Sequence, residues 1–169
     1  MKELVKLEKQ FDRLANIDIR PAGRKSISLV QEDAKSGCPV NDGELRGSIY
    51  THEDNKQDKT VWDCYTNKKH GPFVEFGTGP KGQAHHEGIS PDVDVAYSQS
   101  PWWIHESQID KAVAEKYHFF KIETKDGIFY QCTGQAAQPY MYPALKNNED
   151  AITNIFAEHI KKQIGDITK

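Results

Sequence analysis

Tyr117-His118-Phe119-Phe120-Lys121-Ile122-Glu123-Thr124-Lys125-Asp126-Gly127-Ile128-Phe129-Tyr130-Gln131-Cys132-Thr133 decides how the second half of this chain folds. Two runs rich in aromatic and β-branched residues, Tyr117 to Glu123 and Ile128 to Thr133, flank Lys125-Asp126-Gly127, a turn of the kind that closes hairpins. Downstream, Gly134 to Pro143 is irregular. A long helix then begins near Ala144 and continues to about Ile164, with Leu145, Ile152, Ile155, Phe156, Ile160 and Ile164 along one side. Pro143 belongs at or just before the first turn, where its missing N–H costs nothing. Pro139 and Pro143 each push the preceding residue away from α, so Gln135 to Met141 should run extended.

Upstream lies a second hairpin signal. Ser48 to His52 alternates like a strand, the charged Glu53 to Lys59 is a loop tip, and Thr60 to Asn67 returns with Trp62, Cys64 and Thr66 on one face and Val61, Asp63 and Tyr65 on the other. Before it, Leu4, Leu7, Phe11 and Leu14 recur at helical spacing, with Lys2, Glu3, Lys6, Glu8, Lys9 and Asp12 opposite. Asn16 to Gly23 breaks that pattern. A second helix runs from about Arg24 to Lys35 with Ile27, Val30 and Ala34 inward, and Gly37 stands where a helix end favours positive φ. Asp42 caps one short turn through Glu44 and Leu45. The order of helices, strands, loop, strands and helix predicts an α+β fold: an antiparallel sheet of two hairpins, packed with N-terminal helices and with the stripe of the long C-terminal helix.

Between the hairpins, His70 to Gly79 contains a short helix, with Pro72 at its start and Gly77 at its end. Pro80 to Ser100 has no periodicity. The segment 81–110 carries one base, Lys81, against five acids, Glu87, Asp92, Asp94, Glu106 and Asp110, and reads as a solvated surface. We expect one domain over residues 1–169 with a long irregular loop at about 80–116.

A net charge of -3 argues against a general nucleic-acid binder, which needs cations to displace phosphate counterions. No apolar run reaches the roughly 20 residues of a membrane helix, and Met1 to Gln10 lacks the apolar core of a secretory signal. Cys38, Cys64 and Cys132 are too few and too widely spaced for a disulfide framework or a CxxC metal site, and reduced thiols made in a cytoplasm are expected. With 37% hydrophobic residues and a mean hydropathy of -0.75, the core should be thin and completed by a partner.

Several motifs have a chemical reading and a plainer one. Gly77-Thr78-Gly79-Pro80-Lys81-Gly82 fits GxGxxG, but Pro80 removes a donor and no helix pattern follows, so a glycine turn is the better reading. His85, His86 and Glu87, with His70, His105 and Glu106, are metal-ligand types, but adjacent histidines on an irregular loop offer little preorganisation. A metal-dependent hydrolase using His85 and His86 is the enzymatic alternative. Cys64 and Cys132 lie in strand patterns and read as small buried residues rather than nucleophiles. Trp102-Trp103-Ile104, with Tyr117, Phe119, Phe120, Phe129 and Tyr130, supplies either core or interface; as neighbours on a strand, Trp102 and Trp103 should face opposite ways.

Three segments in order resemble a family. They are Cys38-Pro39-Val40-Asn41-Asp42-Gly43-Glu44-Leu45-Arg46-Gly47-Ser48-Ile49, Phe73-Val74-Glu75-Phe76-Gly77-Thr78-Gly79, and Gly134-Gln135-Ala136-Ala137-Gln138-Pro139-Tyr140-Met141-Tyr142-Pro143-Ala144-Leu145. Together, over about residues 24–165, they are similar to CPVDTGxLRxSI, YVEFGTG and GQPAQPFLRPAL of the tail-completion or head–tail joining proteins in the neck of tailed bacteriophages. Asn41-Asp42 stands for the Asp-Thr pair, Ala136 for a Pro, and Tyr142 for an Arg.

The resemblance implies a structural virion protein without catalytic, cofactor or metal residues. It would form a homo-oligomeric, hexameric ring between a head-side connector or stopper protein and a tail terminator or tail-tube protein. DNA would pass through without specific binding, no membrane would be involved, and assembly would occur in the bacterial host cytoplasm. A tail terminator or minor tail protein is the near alternative. The structural motif residues carried over are Pro39, Asp42, Gly43, Glu75, Gly77, Gly79, Gln138, Pro139 and Pro143; Trp102, Trp103 and Tyr142 are interface candidates.

Overall fold

The computed structural model describes residues 2–57 and 59–168. Met1, Asp58 and Lys169, all included in the expectations above, lie outside them, as does the Lys2 side chain. The elements in order are α1 (Lys2–Ala15), α2 (Arg20–Gly37), α3 (Glu44–Gly47), β1 (Ile49–Asn55), β2 (Thr60–Thr66), α4 (Gly71–Phe76), α5 (Gly79–Ala84), β3 (Trp102–His105), a 3-10 turn (Glu106–Gln108), α6 (Lys111–Lys116), β4 (Phe120–Thr124), β5 (Gly127–Cys132), α7 (Met141–Lys146) and α8 (Glu149–Thr168). The fold is α+β. The chain forms two compact units: Met1–Asn67 with Tyr140–Lys169, and Lys68–Pro139.

The first unit is built on α2. Pro21 sits in its first turn, where it donates nothing that is missed, so the helix starts four residues earlier than the Pro-Gly pair suggested. Ala22, Gly23, Ser26, Val30 and Ala34 bury one face. The β1–β2 hairpin lies on that helix, with Gln31 donating to the Ile49 carbonyl at 2.8 Å. A Cβ on Gly23 would fall 2.1 Å from the Trp62 ring, so the missing side chain makes room for the indole. β1 runs further than expected. Glu53 is a strand residue rather than part of the tip, and its carboxylate accepts from Arg24, Asn55 and Trp62. These bonds, led by that from Arg24, hold its pKa down to about 2. Gly37, expected to take positive φ, instead ends α2 without it, and Cys38 closes the helix by donating to the Ala34 carbonyl.

The C-terminal helix is not continuous. Pro143 lies in the first turn of α7, as expected, but the chain breaks at Asn147–Asn148. The buried Asn148 amide donates to the Ala144 carbonyl and to Asp33 of α2, fixing the break. The stripe also packs differently from expectation. Leu145 and Ile164 are exposed, and α8 lies on α2 and α1 rather than on a sheet of two hairpins. Phe156 meets the hairpin edge-on to Trp62 at 6.1 Å. Gln163 and His159 reach the Asp18 carbonyl and tie the α1–α2 link to α8. The apolar face of α1 stays open: Leu4, Leu7 and Phe11 are exposed, Phe11 by 62%, and Leu14 is half-buried.

In the second unit the 117–133 hairpin forms with Thr124 opposite Gly127. It does not join the first hairpin. Trp102–His105, inside the segment expected to be a loop although Trp102 and Trp103 read as strand neighbours, pairs with the other edge of β5, giving a three-stranded sheet of order β3-β5-β4. Both edges of β5 are thereby filled, and β1–β2 remains a separate two-stranded sheet. The supposed loop 80–116 therefore holds α5, β3, the 3-10 turn and α6, with 85–101 as its long irregular stretch. Ala114 and Tyr130 are the buried apolar side chains of this unit among the described residues, so little of its cohesion comes from an apolar core.

Candidate functional site

Where apolar burial is scarce, the second unit holds together by its main chain. Segment 77–82 crosses segment 133–138, and the two share one short bridge. Thr78 N–H donates to the Gln135 carbonyl at 2.9 Å and Gln135 N–H returns the bond to the Thr78 carbonyl at 3.1 Å. Lys81 N–H reaches the Thr133 carbonyl, Ala137 N–H that of His85, and Gln138 N–H that of Val74. The Gln135 side chain adds a bond to the Phe73 carbonyl at 2.6 Å. Two of the three quoted segments thus meet backbone to backbone.

Such an approach leaves no space for a Cβ. At Gly77 (φ 74°) one would sit 2.7 Å from the Ala137 nitrogen; at Gly79 (φ 62°), 2.9 Å from the Trp102 ring; at Gly134 (φ 84°), 1.8 Å from the Thr78 carbonyl oxygen. All three also occupy the left-handed region that side chains resist. The GxGxxG match is therefore spent on packing: Gly82 is itself pressed against the Gly77 carbonyl carbon. A short helix, α5, begins inside the motif at Gly79 and ends two residues after it, since Pro80 can occupy its first turn.

Beside this crossing lies an open groove of about 350 Å³. Phe73, Phe76, Val95, Tyr97 and Trp102 supply its apolar walls and Gly77 to Gly79 its floor. The irregular segment 85–101 is strapped down by Tyr97, whose hydroxyl donates to the Phe76 carbonyl at 2.7 Å and whose ring stacks on His86 at 5.7 Å. Burial pushes the Tyr97 phenol above its ordinary value. Phe73 and Trp102 remain exposed at the groove, Trp102 by 37%. Trp103 points from the opposite face of β3 and lies 6.1 Å from Phe120.

The remaining motif residues are placed as follows. Asp42 accepts from Glu44 N–H at 2.9 Å and, with Gly43 at φ 85°, turns the chain into α3. Pro39 is half-buried between the helix end and that turn. Glu75 is a buried carboxylate in α4. Pro139 faces Gly88. Tyr142 is half-buried in α7 of the first unit. The residues that sequence reasoning missed are Gly23, Gly134 and Tyr97. Gly134 opens the third quoted segment but has no role of its own in the sequence reading, and each of the three matters through a neighbour distant along the chain.

The histidines disperse rather than converge. His86 stacks on Tyr97, and the two ring nitrogens of His105 face Ser107 Oγ and the Asp126 carbonyl. Among the described residues no three His, Cys, Asp or Glu side chains gather into a metal-holding group. Cys38 is buried, and burial raises the Cys64 thiol, which keeps it protonated and a poor nucleophile. No helix is long and apolar enough to cross a membrane among the described residues. Comparison of the chain with known protein families, curated proteins and solved structures finds no match.

Proposed function

We propose that this chain is a structural subunit of the bacteriophage neck, a ring component that joins the head connector to the tail. The observation that carries the reading is apolar surface left open on separate elements. The α1 stripe of Leu4, Leu7 and Phe11, the groove of Phe73 and Trp102, and the face bearing Trp103 and Phe120 are all exposed. Single exposed apolar residues are ordinary; clusters of them on a thin-cored chain suit a protein completed by neighbours. The resemblance of the three segments supports the same reading, and their glycines and prolines act here as chain-crossing and turn residues. The ring contact is assigned to the groove around Phe73 and Trp102.

Negative-stain microscopy and light scattering of the purified chain test it, together with complementation of phage lacking this protein. Closed rings, and heads that join tails only when the chain is supplied, are expected. Phe73→Asp, at an exposed position, should fold normally and abolish rings. A monomer at all concentrations that leaves head–tail joining unaffected by its loss would sink the proposal.

A further inference from the structure

β4 is an open edge. It pairs only with β5 among the described residues, and all five of its residues, Phe120 to Thr124, are exposed. The two-residue turn makes Thr124–Gly127 the hydrogen-bonded closing pair, so in the alternating antiparallel ladder Phe120, Ile122 and Thr124 bond inward to β5. Lys121 and Glu123 therefore turn their N–H and C=O groups outward. Such a row is a template for another strand unless something blunts it. Neither proline nor a bulge interrupts Phe120 to Thr124, which pair with Gln131 to Gly127 in unbroken register.

The side chains specify which strand fits. Lys121 and Glu123 lie on one face of the sheet, both well exposed and 3.6 Å apart. Phe120 and Ile122 lie on the other, continuous with Trp103 and Phe129 across the ladder. Reversing the segment about Ile122 places Lys121 opposite Glu123, Glu123 opposite Lys121, and Ile122 opposite itself. The strand is thus complementary to its own antiparallel copy in charge, in hydrogen bonding and in apolar face.

We infer that β4 is a docking edge for a second copy of this chain, paired antiparallel about a two-fold axis at Ile122 to give a continuous six-stranded sheet. Two narrow pairs, Lys121 with the partner's Glu123 and the reverse, supply four main-chain hydrogen bonds and two opposite-charge contacts. Ile122 meets its counterpart at the wide, non-hydrogen-bonded position, where side chains come closest. A two-fold contact is self-closing and a ring contact is heterologous, so this edge and the groove proposed for the ring are different surfaces and each can fail alone.

Charge reversal tests the register. Sedimentation velocity of the full chain, from about 5 to about 500 μM, should show a reversible dimer, since so short an edge gives a weak contact. Lys121→Glu and Glu123→Lys each place like charges opposite one another and should weaken the dimer about tenfold. The double variant Lys121→Glu/Glu123→Lys should restore it. An equimolar mixture of the two single variants should form heterodimers, because each acidic side chain then faces a basic one. Ile122→Cys should cross-link to a dimer on mild oxidation, because Cα atoms at a wide pair are about 4.5 Å apart, while wild type with its three native cysteines should not. Absence of a dimer at the highest concentration, dimers indifferent to both reversals, or no heterodimer in the mixture would each overturn the inference. Rings that persist in the single variants would leave the neck reading standing on its own surface.

Discussion

Gly134 is a small residue with a large consequence. A methyl there would have to occupy the space of the Thr78 carbonyl oxygen, and the backbone sits at φ 84°. Gly134→Ala should therefore cost roughly 2 kcal/mol or more, read as a lower melting temperature, because neither a main-chain carbonyl nor a left-handed backbone can yield cheaply. An unchanged melt would show that the crossing of 77–82 with 133–138 does not hold the second unit together. Gly23→Ala differs in kind. Its obstruction is the Trp62 ring, which must move away from Glu53 and Phe156, so we expect about 1–3 kcal/mol from overpacking. Ser26 makes the opposite case. Among the described residues its buried hydroxyl has no hydrogen-bond partner, and Ser26→Ala should be neutral or stabilise by about 1 kcal/mol in denaturant titration. Gly77 and Gly79 were legible as turn glycines from Phe-Gly-Thr-Gly alone. Gly134 was not, because what makes it necessary is a carbonyl more than fifty residues away.

Elements were legible where their own pattern sufficed. The short helix after His70 and the N-terminal helix formed where spacing placed them. The 117–133 hairpin closed at its expected turn, but its first strand starts at Phe120 rather than Tyr117, because Tyr117 and His118 turn the chain out of α6 with His118 at φ 52°. The pieces that differed are those whose boundaries are set by contact. Trp102–His105 becomes a strand because β5 offers a free edge. The C-terminal helix breaks because Asn148 finds both the Ala144 carbonyl and Asp33. Asn148→Ala should destabilise by about 1–3 kcal/mol, since Asp33 loses a partner, and chemical denaturation would measure it. Between α2 and β1, Glu53 answers to pH. Its folded pKa of about 2 lies below the ordinary 4.5, so its contribution is complete above pH 4.5 and is lost as pH falls from there through about 2. Asp18, lowered from 3.8 to about 2 chiefly by its hydrogen bond from Arg20, acts in the same direction. Glu53→Gln should flatten the acid limb of a plot of melting temperature against pH in that window. An acid limb as steep as in wild type would show that the Arg24 pair contributes nothing.

At the scale of the whole molecule, the open α1 stripe separates folding from assembly. Leu7→Glu/Phe11→Glu alters exposed positions and should shift stability by no more than about 0.5 kcal/mol per site. If the stripe serves a neighbour, the same pair should remove higher-order assembly in light scattering; a collapse of the melt would instead place the stripe in the fold. The α+β class, the amphipathic helices and the turns follow from the order of residues, since period 3.6, period 2 and the special φ of glycine are local properties. The division into two units, the two separate sheets, the use of α2 rather than a sheet as the bed for α8, and the crossing of segments 77–82 and 133–138 belong to tertiary structure. Each depends on which distant backbone satisfies an edge, a carbonyl or an apolar stripe, and residue spacing along one chain carries no record of that choice.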